Sequence, residues 1–235
     1  MERKLGMTAR LLESREIAPE VRHLVFEVED SLSFSYVPGQ FASLTAEING
    51  SPITRAYSFA SPACGNRIEL CLNLVHEGKF SPYLFDLQPG DRVQMTGPWG
   101  GFIFRQPVED SILVATGTGI VPFRAMLQEQ LSRDSVHQYT LIFGVRHEHG
   151  LLYREEFEQL TRDHANFHFW PTLSRPETGW SGRTGHVQAH LFEAIGERRD
   201  VNVFICGLKE MVDDVRSILK SSGFDRKRII CEKYD

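Results

Sequence analysis

Ile112-Leu113-Val114-Ala115-Thr116-Gly117-Thr118-Gly119-Ile120-Val121-Pro122-Phe123 joins an unbroken apolar run to a glycine turn and then to a helix-compatible segment. ILVA has no polar face, which suits a strand covered on both sides. Glycines let a backbone approach a ligand closely, and free N–H groups at a helix start favour a pyrophosphate. Pro122 suits the first helical turn, where a missing N–H costs little. The full G-x-G-x-x-G spacing is absent, because Pro122 stands where the last glycine belongs. Such turns also occur without a ligand, so position has to carry the argument: ligands gather at the carboxyl ends of strands in open α/β sheets.

Toward the C-terminus the same alternation repeats. YTLIFGV (139–145) precedes a helical pattern near 153–162, and FHFWPTL (167–173) precedes one near 187–195. VNVFIC (201–206) precedes one near 208–222, and RIICE closes the series. Buried strands alternating with helices predict a doubly wound parallel sheet. Cys206-Gly207 ends the fourth strand at the sheet's carboxyl edge. A cysteine there reads as a small buried hydrophobe; a compact side chain beside glycine would equally let a flat nicotinamide ring lie close. Arg146, Arg175 and Arg183 fall in the predicted loops after the second and third α/β strands, bordering the adenosine end of a dinucleotide. Paired charged hydrogen bonds suit arginine to a 2′-phosphate, hence NADPH; solvated loop charge is the plainer alternative. An acidic NADH-ribose partner would fall near Asp134, in a polar loop.

Toward the N-terminus the period changes to two. Leu24, Phe26 and Val28 share one face and Glu27 and Glu29 the other, and Ile68, Leu70, Leu72 and Leu74 alternate likewise. This predicts an antiparallel sheet or small barrel, broken by one short helix from Ser81 to Asp86. Pro38-Gly39, Asn49-Gly50 and Pro89-Gly90-Asp91 supply turns. The character shifts after Gly97-Pro98-Trp99-Gly100-Gly101, which gives an all-β domain over 1–105 and an α/β domain over 106–235. In Arg55-Ala56-Tyr57-Ser58, Arg55 and Tyr57 share a face, as in either a cross-strand surface pair or a support for a ring and a phosphate. Gly78-Lys79-Phe80-Ser81 opens the short helix, with Ser81 as its expected cap.

A net charge of −5 and a pI near 6.0 give no overall basic field for nucleic acid or anionic lipid. No apolar run approaches the ~18–20 residues that span a bilayer, and the N-terminus does not read as a signal peptide. Cysteines at 64, 71, 206 and 231 match neither a zinc site nor an iron–sulfur cluster, so no metal is expected. The expectation is a cytoplasmic protein with reduced thiols, monomeric by default.

These segments, in this order, resemble the ferredoxin–NADP⁺ reductase superfamily along essentially the whole chain. RAYS (55–58) is similar to its RxYS flavin motif, GKFS (78–81) to its second FAD segment, and GPWGGF (97–102) to GPxGxF. TGTGIVPF (116–123) resembles the pyrophosphate loop GTGxxPF, CGLKEMV (206–212) resembles CGxxxMV, and EKYD (232–235) resembles the terminal ExY. The resemblance implies a six-stranded antiparallel FAD-binding barrel followed by an NAD(P)-binding domain. It implies that Arg55 binds the FAD pyrophosphate, Tyr57 stacks on the isoalloxazine and Ser58 lies near flavin N5. Ala56, Leu74, Gly78, Lys79, Phe80, Ser81 and Tyr234 would complete the FAD site. Thr116, Gly117, Thr118, Gly119, Arg146, Ser174, Arg175, Arg183, Gly207 and Met211 would hold NADPH, with NADH the alternative. Cys206 would face nicotinamide C4, and Glu232 would join Ser58 in a polar network; these three form the implied catalytic set.

The function implied is hydride exchange between NADPH and FAD, with single electrons passed to or from a separate ferredoxin or flavodoxin. The sequence departs from the pattern where Asp235 follows Tyr234. It also carries no C-x₄-C-x₂-C cluster, so the one-electron carrier would be another molecule. SRP…WSGRTG (174–185) looks like NADH-using oxygenase reductases. The alternatives are therefore an NADH-dependent oxygenase reductase component, a free-flavin reductase, or a regulatory flavin- and nucleotide-binding module without turnover.

Overall fold

The computed structural model describes residues 6–29 and 31–234. Its first sheet contains β1 (Met7–Ala18), β2 (Val21–Val28), β3 (Phe41–Ile48), β4 (Ser51–Ser58), β5 (Arg67–Asn73) and β6 (Arg92–Trp99). Every pairing is antiparallel, in the order β4-β3-β6-β1-β2-β5. The edges close on each other just past β4. There Phe59 bridges Leu70, and the Ala60 N–H donates to the Glu69 carbonyl at 2.8 Å. The Asn49-Gly50 hairpin places both residues at positive φ, 52° and 72°, the geometry that matches the strands' right-handed twist. The two-residue period does what the sequence predicts. Leu24, Phe26 and Val28 are fully buried, and Glu27 on the opposite face pairs with Arg10. Leu74 lies one residue beyond the end of β5.

The short helix α1 (Phe80–Asp86) crosses between β5 and β6. Ser81 is not its cap. Its hydroxyl accepts the Val75 N–H at 2.9 Å, so it ties down the preceding turn from inside the helix. The cap position is Lys79, whose side chain makes no capping bond.

The second sheet is built of β7 (Ser111–Thr116), β8 (Tyr139–Val145), β9 (Phe167–Leu173), β10 (Arg183–Thr184), β11 (Asn202–Leu208) and β12 (Ile229–Tyr234). It is parallel throughout, in the order β10-β9-β8-β7-β11-β12. The helices are α2 (Val121–Leu131), α3 (Arg154–Asp163), α4 (Gln188–Ile195) and α5 (Lys209–Ser221). Chain order reverses between β7 and β11, and that reversal is where doubly wound sheets bind ligands. Ile112, Val114, Val203 and Ile205 bury one sheet face against Leu191 and Ile195 of α4 and Val212, Val215 and Leu219 of α5. The two-residue β10 is not foreseen from sequence. Contacts divide the chain into residues 1–103 with 121–129 and residues 104–120 with 130–235, so most of α2 groups with the first sheet.

Candidate functional site

In the barrel unit, β4 is the least covered strand. Arg55 and Ala56 are exposed, Tyr57 is half-buried and Ser58 is buried. Arg55 and Tyr57 share a face, since their partners Leu44 and Ala42 are both core residues. The Arg55 guanidinium donates to the neighbouring Thr54 carbonyl at 2.8 Å and stays at the surface. The Tyr57 ring lies 6.1 Å from that of Phe80 at an interplanar angle of 26°, which brings β4 and the start of α1 together. Burial pushes the Tyr57 phenol up to about 12, with Arg55 acting the other way, so it is a neutral aromatic plate. Gly78 turns tightly on Val75. A Cβ at Gly78 would meet the Val75 carbonyl oxygen at 3.0 Å and the Val75 side chain at 3.2 Å. Lys79 is exposed and Leu74 half-buried above this turn. The Tyr57–Phe80 contact therefore sets RAYS beside GKFS, with exposed Arg55 on the same face of β4 as Tyr57.

In the α/β unit, the carboxyl ends of β7 and β11 meet with almost no space between them. A Cβ on Gly119 would lie 2.3 Å from the Cys206 carbonyl oxygen and 2.7 Å from Gly207 Cα. A Cβ on Gly207, at φ +143°, would lie 2.5 Å from Thr116 Oγ1 and 3.0 Å from Met211 Cε. Thr116, Gly119, Cys206, Gly207 and Met211 thus converge at the switch point, with exposed Gly117 and half-buried Thr118 on the connecting turn. Thr116 Oγ1 is buried and has no hydrogen-bond partner among the described residues. Buried hydroxyls are normally satisfied, and a bound polar ligand is one way to do it. The orphan hydroxyl beside a glycine cradle is therefore a fit for a nucleotide.

Cys206 is fully buried on β11 and aligned in register with Glu232 of β12. Burial, reinforced by the Glu232 carboxylate, raises its pKa well above the ordinary thiol value, and the Tyr234 side chain opposes the shift. At neutral pH it is a thiol. Tyr234 pairs in register with Leu208 and is half-buried, while Asp235 lies outside the described residues.

The three arginines are not equivalent. Arg146 and Arg175 are neighbours, since the Arg175 N–H donates to the Arg146 carbonyl at 2.9 Å and extends the β8–β9 ladder by one step. Ser174 beside them donates its N–H to the Val145 carbonyl at 3.0 Å. Both arginine side chains are exposed. Arg183 lies on β10 rather than in a loop. Its guanidinium grips Glu193 of α4 with two bonds of 2.6 and 2.7 Å and lies 3.8 Å from the Trp170 ring centroid. Its charge is already met. Nothing in the residue spacing links 183 to 193, because the pair joins two different elements. Asp134 is also committed. It accepts from Tyr139 Oη at 2.6 Å, from the His137 ring at 2.7 Å and from the Val136 N–H at 2.8 Å. It precedes β8, at the amino edge of the sheet, so it is not a ribose ligand. Sequence reasoning missed Glu177, whose Oε1 lies 3.6 Å from His147 Nδ1 beside the Arg146–Arg175 step. Among the described residues, no group of three or more His, Cys, Asp or Glu side chains is placed to hold a metal ion. No helix among them is long and apolar enough to cross a membrane.

An antiparallel barrel with an arginine and an aromatic face on its least covered strand, followed along the chain by a doubly wound sheet with a glycine cradle at its switch point, is the architecture of an FAD- and NAD-binding oxidoreductase. Residues 8–104 match the oxidoreductase FAD-binding domain family, and residues 113–217 match the oxidoreductase NAD-binding domain family. A ferredoxin–NADP reductase B from Sorangium cellulosum is 39% identical over 97% of both chains. The toluate 1,2-dioxygenase electron transfer component of Pseudomonas putida is 27% identical over 97% of this chain and 68% of its own. In structure, the Amycolatopsis cytochrome P450 reductase GcoB superposes with a TM-score of 0.87 at 28% identity, covering 97% of this chain and 69% of that one. The chain belongs to the ferredoxin–NADP⁺ reductase family, and is related to oxygenase electron transfer components.

Proposed function

We propose that the chain is a ferredoxin- or flavodoxin–NADP⁺ reductase, moving hydride between NADPH and FAD and single electrons to or from a separate protein carrier. The observation that carries this reading is the carboxyl edge of the α/β sheet, where the orphan Thr116 hydroxyl and the Gly119–Gly207 cradle lie on strands next to β8, and Arg146 follows the end of β8 directly. An acidic residue near the end of the second strand is what reads an NADH ribose hydroxyl, and an arginine there accommodates a 2′-phosphate. The name of the relative at 39% identity, covered almost end to end, supports the same coenzyme and the same class of carrier.

FAD supplies the redox chemistry, accepting a pair of electrons as hydride and releasing them singly; the protein's part is binding and orientation. In this reading Arg55 and the backbone of Gly78 to Ser81 hold the FAD pyrophosphate, and Tyr57 offers its neutral face to the ring. Ala56, Leu74, Lys79, Phe80 and Tyr234 complete the flavin's surroundings. Ser58 donates a hydrogen bond at the flavin's reactive edge. Thr116 to Gly119 hold the coenzyme pyrophosphate, and Gly207 and Met211 shape the nicotinamide end. Cys206, as a neutral thiol, fills space beside the nicotinamide without adding charge. Glu232 keeps the polar network around it ordered. Arg146, Ser174 and Arg175 bind the 2′-phosphate, a role from which Glu193 withholds Arg183.

The test is NADPH-driven reduction of cytochrome c with and without added ferredoxin. Stimulation by ferredoxin supports the proposal. Fast reduction of free FMN without a protein acceptor would make the chain a free-flavin reductase, and absence of turnover would make it a binding module. An oxygenase reductase role has one specific support, the 27% identical dioxygenase component. That role predicts NADH preference.

A further inference from the structure

The loops after β8 and β9 carry opposed charges where the coenzyme's adenosine end is read. Arg146 and Arg175 are joined through backbone, Arg175 N–H to Arg146 carbonyl, 2.9 Å. One residue past Arg146, His147 Nδ1 faces Glu177 Oε1 at 3.6 Å, too long for a hydrogen bond. That Nδ1 is buried and has no hydrogen-bond partner among the described residues. The His147 ring stacks on His149 at 5.4 Å with 12° between planes. The other nearby carboxylate, Glu148, is taken by Arg154. Glu177 differs. Its side chain remains 69% exposed, and no arginine or lysine is paired with it among the described ion pairs.

We propose that Glu177 is a specificity-determining residue that weakens this chain's discrimination for the 2′-phosphate, by setting a negative charge against the Arg146–Arg175 pair. This rests on the reading of that pair as the 2′-phosphate site. The exposed carboxylate and the phosphate dianion would compete for the same cationic surface, and like charges in one loop cluster repel. A 5′-nucleotide without the 2′-phosphate has no such charge to oppose, so the effect separates the two coenzymes. A chain tuned this way would accept NADH alongside NADPH.

The test is calorimetric titration with 2′,5′-ADP and with 5′-AMP, which differ only in the 2′-phosphate, against the FAD-loaded wild type, E177Q and E177K. The expected result is a rise in the 2′,5′-ADP over 5′-AMP affinity ratio of roughly threefold to tenfold for E177Q, as expected from removing a like charge near the surface. The ratio should rise further for E177K and the gain should shrink in high salt, which a merely structural loop change would not do. Equal shifts for both nucleotides, or a falling ratio, would overturn the proposal. An R146A/R175A variant separates the two claims. If it keeps the wild-type ratio, the 2′-phosphate site itself is misassigned; if it loses the ratio while E177Q leaves it unaltered, Glu177 alone is excluded.

Discussion

The protonation of Cys206 follows from its surroundings: full burial and the Glu232 carboxylate both disfavour a thiolate. Thiolate, not thiol, reacts with alkylating agents. Iodoacetamide at pH 8 should therefore modify exposed Cys64 in the folded protein and leave Cys206 unmodified until urea unfolds the chain, as read by peptide mass spectrometry. Rapid labelling of Cys206 in the native state would contradict its placement. At the same scale, Cys206-Gly207 and the glycine turn stand out in the sequence by their place at strand ends, and the structure brings them together where β7 and β11 end. It could not separate Arg183 from Arg146 and Arg175, because a guanidinium's partner is decided in space. Glu193 lies ten residues away on another element, and it takes the charge that the resemblance assigned to a phosphate.

At the level of elements, the junction of β7 and β11 tolerates no side chain. Gly119→Ala would drive a methyl group to 2.3 Å from the Cys206 carbonyl, backbone that cannot swing aside. We expect G119A to lose coenzyme binding at least tenfold while its FAD absorbance stays, and wild-type affinity in that variant would refute the cradle. A second tie is electrostatic. Arg124 of α2 reaches Glu69 of β5 at 2.7 Å and the Ala60 carbonyl at 2.6 Å, and His23 of β2 lies 3.4 Å from the same carboxylate. Hydrogen bonds from His23 and Arg124 outweigh burial and hold Glu69 at about 2. The folded pKa is depressed, so the carboxylate stabilises the fold above the unfolded value near 4.5, and this is lost as pH falls from there toward 2. Between pH 7 and pH 3, wild type should lose up to about 2 kcal/mol more stability in urea than Glu69→Gln. Equal acid sensitivity would remove the tie.

The whole molecule was legible where periodicity is strong. The two-residue alternation of β2 and β5 and the apolar runs of β7, β8, β9 and β11 fixed both sheets, because burial on one face or two leaves different patterns along a chain. What stayed hidden depends on distant partners. Most of α2 follows the α/β glycine turn in sequence yet groups with the first sheet, through an Arg124–Glu69 pair separated by 55 residues. Ser81 looks like a helix cap, but the Val75 N–H claims it. The two-residue β10 has no pattern to detect.

The central claim is that this chain binds FAD and reduces it with a nicotinamide coenzyme. It is tested most directly by the absorbance spectrum of the purified protein, titrated without oxygen first with NADPH and then with NADH. A yellow protein whose flavin band bleaches on adding NADPH is the result predicted. A protein that stays colourless when FAD is supplied, or whose flavin band survives an excess of both coenzymes, would contradict it.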